Sequence, residues 1–371
     1  MSFGFERRTR AFQSALGGAD ADAAVLSPSP DMTYLSGFEE TPGRRLLALF
    51  VPMTGDPVFV VPEMYREQVA ENTWVDDVRT WPWAAPEESM TVVETLFDEH
   101  GLAGGRLLVE DRMWMEFGER FRKLLPEATF GLASEAIEEL RITKTDRELR
   151  ALEAAASLSD TVAVELRELG ADVVGKTERE LATEIKTRLS GHGSAGVSFE
   201  PMIGSGPNGA KPHHRNGDRT IERGDPVLID FGGVIDGYCG DQTRTIVFDG
   251  APPAEFETIH ETVRRAQARG VETVEAGITA EAVDEAVREV IEDAGYGDAY
   301  FHRTGHGVGL ELHEPPFLRP GNDRTLEPGM VCSVEPGVYL PDRFGVRIED
   351  LVVVTEDGCE RLNETPRGWR P

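Results

Sequence analysis

The sequence predicts an α/β protein, of the α+β type, with two domains. Two features of the chain predict this fold. In the first third, short apolar segments alternate with segments of helical periodicity, and after residue 145 a pair of helices followed by β-rich sequence occurs twice. With 371 residues the chain is long enough for two domains. We predict one domain over residues 1–135 and a second over residues 136–371.

The elements of the first domain follow from apolar patterns and turn residues. Residues 46–51 and 57–61 are apolar and β-prone, and Thr54-Gly55-Asp56 between them is typical of a turn, so this region predicts a β-hairpin. Periodicity predicts the remaining elements, which are helices over 91–100 and 112–125 and a strand over 106–109.

Capping signals mark the helices of the second domain. In Thr145-Asp146-Arg147-Glu148 a threonine precedes a glutamate by three residues, which is the pattern of a capping box and predicts a helix to Leu169. Thr177-Glu178-Arg179-Glu180 repeats the pattern. Two later helices are predicted over 253–269, ending at Gly270, and from Thr279 to about Ala294. The repeated order of elements indicates an internal duplication, although the residues themselves do not repeat.

The charge balance restricts the possible partners. Acidic residues number 67 against 38 basic ones, for a formal net charge of -29, and only five of the basic residues are lysine. A GC-rich genome favours arginine over lysine but does not explain the excess of acid, so we interpret it as a halophilic, salt-adapted surface. A field of this sign repels nucleic acid and anionic membranes. We therefore expect neither as a partner.

Cysteine usage and the absence of targeting signals predict the compartment. Cys239, Cys332 and Cys359 form no CxxC pair and are too few for a disulfide framework, which indicates a reducing compartment. Arg7-Arg8 could belong to a twin-arginine signal, but residues 9–22 lack the apolar run that such a signal needs. No run of about 18 apolar residues occurs elsewhere. We expect a cytoplasmic protein.

A first pair of acids is predicted to meet on a β-hairpin. Residues 227–231 form a strand candidate that contains Asp230, and Asp236-Gly237 is a strong hairpin turn signal. A turn centred on these two residues places Asp241 diagonal to Asp230 on the same face, where a shared divalent cation would turn repulsion into attraction. Alternatively, both acids simply solvate a loop, and a three-residue loop would put them on opposite faces.

A second pair of acids has the same arrangement. Glu335 and Glu349 lie symmetrically about the turn signal Pro341-Asp342, so an antiparallel pairing of the flanking segments sets them directly opposite each other. Arg347 shares their face. Its guanidinium offers the alternative reading, a structural cluster in which one cation compensates much of the acid.

Histidines cluster near the second pair. In Gly305-His306-Gly307 the flanking glycines let the backbone approach closely and hold one imidazole in place. A lone histidine is more often structural, but five of the eight histidines fall in two short segments, which favours chemistry. These five are His213, His214, His302, His306 and His313.

These motifs resemble those of the pita-bread metallopeptidases, the family of prolidase, Xaa-Pro aminopeptidase and methionine aminopeptidase. The resemblance covers roughly residues 140–360, and residues 31–38 (DMTYLSGF) resemble the creatinase-like N-terminal domain of the prolidase branch. The motifs are Pro212-His213, the strand LIDFG over 228–232, Gly240-Asp241, the run TGHGVGLELHEPP over 304–316, SVEPG over 333–337 and VRIED over 346–350.

The resemblance implies a set of metal ligands. Asp230 would bind one divalent cation, His306 and Glu335 the other, and Asp241 and Glu349 would bridge both. The set is complete, which argues against the metal-free relatives. Such an oxygen-rich site favours Mn²⁺, Co²⁺ or Fe²⁺, with Zn²⁺ as a further option. Cys239 and Cys332 are then packing residues.

The resemblance also implies the catalytic residues. Glu335 would shuttle the proton of the attacking water, and His213 and His313 would bind the substrate and stabilise the oxyanion. His214 has no counterpart and is expected at the surface or behind the site. Arg319, Arg324 and Arg347 are candidates for binding a terminal carboxylate, although an arginine in such a position is more often a surface or salt-bridge residue.

The predicted function is hydrolysis of the amide bond before proline in small peptides, by a dipeptidase or aminopeptidase that is a homodimer, as the resemblance implies. A second hypothesis keeps the metals and changes the substrate to a small osmolyte such as ectoine, acted on by a hydrolase or lyase. A third is a non-catalytic binding module on the same fold, which the complete ligand set disfavours.

Overall fold

The computed structural model describes residues 3–371 and divides into two compact units. The first unit ends at Arg141 and the second is Ile142–Pro371. The boundary predicted at 135/136 lies within the helix Ser134–Ile142 and stays a prediction. Of the helices formed by residues 3–371, none combines the length and the apolar character of a membrane span.

The first unit is built on a six-stranded mixed sheet with the strand order β4-β3-β2-β1-β5-β6. The predicted hairpin is confirmed, because β2 and β3 pair antiparallel and Ala48 lies opposite Val60. Strands β1, β5 and β6 run parallel to one another. The elements are α1 (Phe5–Gly18), β1 (Ala23–Leu26), α2 (Pro30–Ser36), β2 (Ala48–Pro52), β3 (Val58–Pro62), α3 (Arg66–Asn72), β4 (Asp77–Trp81), α4 (Glu88–Glu99), β5 (Arg106–Val109), α5 (Met115–Leu124), β6 (Thr129–Leu132) and α6 (Ser134–Ile142).

The DMTYLSGF segment forms the short helix α2 of this unit. Ser29 caps its first turn by accepting a hydrogen bond from Met32 N. Gly37 ends it with a positive φ of 80°, and a Cβ there would overlap the ring of Phe5, so only glycine fits. Asp31 faces inward and pairs with Arg141 at 2.6 Å.

The second unit contains two similar halves, each of which begins with a helix pair and continues into antiparallel strands. The first half has the sheet β11-β8-β7, and the second has the sheet β13-β12-β14-β17-β18. Two further two-stranded ribbons consist of β9 with β10 and of β15 with β16. The elements are α7 (Asp146–Glu168), α8 (Glu178–Gly191), β7 (Met202–Ser205), β8 (Val227–Phe231), β9 (Val234–Ile235), β10 (Tyr238–Cys239), β11 (Gln242–Ile246), α9 (Phe256–Thr273), α10 (Ala280–Asp293), β12 (Gly305–Gly307), β13 (Glu314–Leu318), β14 (Val331–Val334), β15 (Gly337–Leu340), β16 (Phe344–Arg347), β17 (Asp350–Thr355) and β18 (Gly358–Arg361).

The capping signals of the second unit are confirmed. Thr145 and Glu148 form a capping box before α7, and Thr177 and Glu180 form one before α8. Thr279 caps α10 by accepting from Ala282 N. In each half the apolar faces of the helices pack on the sheet and form one of the hydrophobic clusters of the unit.

The prediction that α9 stops at Gly270 is wrong, since the helix continues to Thr273. A Cβ at Gly270 would lie 2.7 Å from both Val287 of α10 and Val334 of β14. The glycine therefore allows α9 to approach its neighbours closely and does not end the helix. A glycine that ends a helix and a glycine that allows close packing within a helix cannot be distinguished from the local sequence.

We predict that Gly270→Ala lowers stability, although alanine favours helix by roughly 1 kcal/mol over glycine. Overlap with the two valines costs about 1–3 kcal/mol, so overpacking outweighs propensity. Gly118→Ala, in the middle of α5 with nothing within 4 Å of the added Cβ, is the matched control and raises stability. Thermal and urea unfolding midpoints measure both variants. A Gly270→Ala protein as stable as the control would disprove the close approach.

Candidate metal centre

Asp230 lies in β8, and Asp241 directly precedes the paired strand β11, in the predicted register. Asp236 and Gly237 both have positive φ, 51° and 82°, which is typical of a type I′ hairpin turn. The pairing of Gln242 with Phe231 in β11 and β8 continues the register of this turn. The alternative three-residue loop is thereby excluded.

Glu335 and Glu349 interrupt a long hairpin. Val334 pairs with Asp350 on one side of them, and Gly337 pairs with Arg347 on the other, in the one register predicted from the sequence. At the two acids themselves the strands separate. Glu335 N donates to Thr304 O at 2.8 Å, and Glu349 N donates to Thr243 O at 3.1 Å. Each acid is therefore fixed by a different neighbouring segment, and their side chains project into the space where the hairpin opens.

His306 is held by backbone on both sides. A Cβ on Gly305 would overlap the Ser333 carbonyl oxygen, and one on Gly307 would overlap the Pro315 carbonyl oxygen. The ring directs Nδ1 to Gly307 O at 3.1 Å. Its Nε2 consequently faces the acids, 3.3 Å from Glu335 Oε1 and 3.6 Å from Asp241 Oδ2.

These residues fit a bound cation. One donor atom each of Asp241, His306 and Glu349 lies within 4.8 Å of the other two. Asp230 Oδ1 and Glu349 Oε1 are buried and have no hydrogen-bond partner among residues 3–371. Buried carboxylate oxygens rarely remain without a partner, and a hard divalent cation satisfies several of them at once.

The acids strain one another electrostatically. Burial, followed by the charge of the neighbouring carboxylates, raises the pKa of Asp241 and of Glu349 well above the ordinary range. Burial also raises the pKa of Asp230, with Arg347 opposing the rise. Glu335 behaves differently: burial alone would raise its pKa, but the hydrogen bond with His306 and the nearby cations lower it. A bound cation would favour the ionised form of these three carboxyl groups.

Arg347 forms part of the wall behind Asp230. Its guanidinium bonds Asp230 Oδ2, and it donates to Thr243 Oγ1 and Tyr339 OH at 3.1 Å each. The side chain is 5% exposed. Arg347 therefore compensates the charge of Asp230, which is the alternative that the sequence offered for this residue. A role of Arg347 in binding substrate stays a prediction.

The acids and His306 lie at the base of a cavity of about 710 Å³ in the second unit. His213 and His313 line this cavity, and both residues are solvent-exposed. The centroid of the His313 ring lies 4.2 Å from that of the His306 ring. Partial burial, followed by the charge of His306, lowers the pKa of His313 to about 4. The volume is that of a site for a small organic ligand.

Several residues of the site were not identified from the sequence. Thr243 donates to Glu349 Oε2 at 2.6 Å, and its position two residues after Asp241, on the same face of a strand, was a usable signal. Buried Glu178 accepts from His214 Nε2 at 2.7 Å and fixes the loop that bears His213. Arg303 also lines the cavity. No local pattern distinguishes Glu178 or Arg303 from surface residues.

Comparisons with known proteins identify the family of each unit. The family described as metallopeptidase family M24 matches residues 150–356, and the creatinase/prolidase N-terminal domain matches residues 8–143. The probable dipeptidase PepE of Mycobacterium tuberculosis is 35% identical over 98% of this chain and 95% of that protein.

Solved structures match over the whole chain. The structure of a prolidase from Thermococcus sibiricus has a TM-score of 0.95 and 36% identity, with all of both chains covered. That of a dipeptidase from Pyrococcus horikoshii has a TM-score of 0.91 and 38% identity, and covers 97% of this chain and 98% of that one.

Fold and site together define a metallopeptidase whose pita-bread catalytic unit follows a creatinase-like N-terminal domain. The chain belongs to metallopeptidase family M24.

We predict that Gly305→Ala displaces His306 and weakens metal binding, because the added methyl overlaps a backbone carbonyl that cannot rotate away. Calorimetric titration of the chelator-treated protein with Mn²⁺ should show at least a roughly tenfold loss of affinity, within the range seen when the support of a metal ligand is removed. Gly196→Ala, whose Cβ has nothing within 4 Å, should bind like the wild type. Equal affinity of both variants would contradict the constrained geometry of His306.

Proposed function

We propose that this protein is a metal-dependent Xaa-Pro peptidase that hydrolyses the amide bond before proline in small peptides. The observation that supports this most is the convergence of four carboxylates and one imidazole at the base of one cavity. The proline preference is suggested by the relatives named prolidase and Xaa-Pro dipeptidase.

In this proposal five side chains hold two divalent cations. Asp230 would bind one cation, His306 and Glu335 would bind the other, and Asp241 and Glu349 would be shared by both. The orphaned oxygens of Asp230 and Glu349 and the raised pKa of Asp241 support this set. Arg347, Thr243 and the Gly307 carbonyl keep the donors oriented. The predominance of oxygen donors favours Mn²⁺ or Co²⁺.

When bound, the cations would lower the pKa of a water toward neutrality and polarise the scissile carbonyl. Glu335, ionised beside His306, accepts the proton of the attacking water and returns it to the leaving nitrogen as the C–N bond breaks. His213 and His313 line the cavity, where an imidazole N–H would donate a hydrogen bond to the developing oxyanion.

The remaining parts of the proposal concern the state of the protein. We place it in the cytoplasm, in keeping with three free thiols, Cys239, Cys332 and Cys359. We propose a homodimer in which residues 1–135 form the creatinase-like domain and residues 136–371 the catalytic domain. The acidic excess suggests that activity requires salt.

The proposal predicts that chelation abolishes activity and that Mn²⁺ or Co²⁺ restores it. The purified protein, in concentrated salt, is assayed on Xaa-Pro dipeptides, a longer Xaa-Pro peptide and ectoine, and bound metal is counted by elemental analysis. We expect two ions per chain and release of proline. Loss of the polarising cation raises the barrier by several kcal/mol, so Asp241→Asn should retain less than roughly a hundredth of the activity.

Asp236→Asn is the matched control. Its carboxylate lies in the adjacent turn with 60% of the side chain exposed, so it should keep both ions and full activity. Cleavage of the longer peptide would identify an aminopeptidase, and cleavage of dipeptides alone a dipeptidase. Two bound ions with turnover of ectoine only, or of no substrate, would refute the assignment of substrate and leave the metal centre intact.

A further inference from the structure

We infer that Arg244 is a positioning residue of the metal centre, which fixes the backbone of Glu349 by binding it to strand β11 and to the segment 362–370. This inference rests on the proposed function, because it takes Glu349 as a ligand shared by two cations. It adds a residue that acts through that ligand. Arg244 does not line the cavity, so it is not placed to contact the substrate.

The guanidinium of Arg244 is buried and binds three segments of the chain. Nη1 donates to Glu349 O and, at 2.9 Å, to Thr243 O. Nη2 donates at 2.6 Å to the Asp350 carboxylate and at 2.9 Å to Thr365 O. The side chain is 3% exposed. Its planar fork therefore joins β11, the residues around Glu349 and the segment 362–370.

These bonds leave Glu349 little freedom. Its N–H donates to Thr243 O at 3.1 Å, and its carbonyl oxygen accepts from Arg244. Its side chain is bonded to the same strand, because Thr243 Oγ1 donates to Oε2 at 2.6 Å. The other carboxylate oxygen, Oε1, is buried and has no hydrogen-bond partner among residues 3–371. The network thus fixes this oxygen in place for a cation.

Sheet hydrogen bonds do not hold Glu349, because the hairpin opens there. The last pair of β14 and β17 joins Val334 to Asp350, one residue short of Glu349. Where a ladder stops, a buried carbonyl oxygen requires a donor from elsewhere. Arg244 supplies that donor from a strand of the other half of the catalytic unit. The position of one half therefore fixes a ligand of the other.

The segment 362–370 holds Arg244 from the opposite side. Besides the bond to Thr365 O, Arg244 Nε donates to Pro366 O at 3.3 Å. Asp160 of α7 in turn fixes the segment, since its carboxylate accepts from Glu364 N at 2.6 Å and from Thr365 N at 3.1 Å. The guanidinium is consequently enclosed between this segment and the backbone of Glu349.

Arg167 of α7 is a second buried arginine that binds the same segment, and it provides a matched control. The residue is 7% exposed. Its guanidinium donates at 2.6, 2.7 and 2.8 Å to three carbonyl oxygens of the segment, those of Arg370, Pro366 and Gly368. Removal of Arg167 loosens the segment and leaves the bond between Arg244 and Glu349 in place.

The test is calorimetric titration of the chelator-treated protein with Mn²⁺. We expect Arg244→Gln to lower the affinity by roughly tenfold to a hundredfold, the range for a residue that supports a metal ligand. Arg244→Lys keeps the charge beside Asp350 but lacks the fork that also reaches Glu349 O, so it should lose about tenfold. Because it retains the ion pair, it carries the test even where Arg244→Gln does not fold. Arg167→Gln should bind Mn²⁺ like the wild type.

Two further measurements separate positioning from stability and from substrate binding. Thermal unfolding of the chelator-treated proteins should show a loss of stability for the Arg244 and Arg167 variants alike, whereas metal affinity falls only in the former. At saturating Mn²⁺, Arg244→Lys should lower kcat for Ala-Pro and leave KM unchanged, since the residue does not line the cavity.

Wild-type affinity in Arg244→Lys, or an equal loss of affinity in Arg167→Gln, would overturn the role of Arg244. The metal titration does not depend on turnover, so the two proposals can fail separately. If Arg244→Lys weakens Mn²⁺ binding but the wild type cleaves no Xaa-Pro peptide, the proposed function fails and the role of Arg244 stands. If the wild type cleaves Ala-Pro and Arg244→Lys binds Mn²⁺ equally well, the peptidase stands and the role of Arg244 fails.

Discussion

Repulsion among buried carboxylates is the constraint on which the rest of the catalytic unit depends. Burial and the charge of neighbouring carboxylates raise the pKa of Asp230, Asp241 and Glu349, and the positive charge of Arg347 opposes the rise at all three. Such a cluster is unfavourable unless a cation neutralises it. The backbone around it is correspondingly rigid, with glycines placed where carbonyl groups leave no room for a side chain.

The position of these acids follows largely from β-sheet register, and this part of the site could be predicted from the sequence. Asp236-Gly237 dictates a two-residue turn, and the pairing on both sides of Glu335 and Glu349 keeps one register. Turn residues and strand parity are local properties, so they can be read directly from the chain. The capping boxes before α7 and α8 are predictable for the same reason.

Other features depend on contacts between distant segments and could not be predicted. Nothing near Gly270 indicates that Val287 and Val334 lie beside it. The opening of the hairpin at Glu335 and Glu349 depends on hydrogen bonds to Thr304 and Thr243, which belong to other strands and loops. In the sequence Arg303 cannot be distinguished from a surface residue, because its contact with Phe317 and its place in the cavity wall form only when distant segments pack together.

The donors are divided between the two halves of the catalytic unit. In the proposed metal centre Asp230 of β8 and Asp241, which precedes β11, come from the first half, whereas His306, Glu335 and Glu349 come from the second. Neither half alone has enough ligands for a complete centre. Any shift of one sheet against the other would move the carboxylate oxygens of the first half away from the imidazole of the second. The two halves therefore cannot diverge independently or be exchanged as modules.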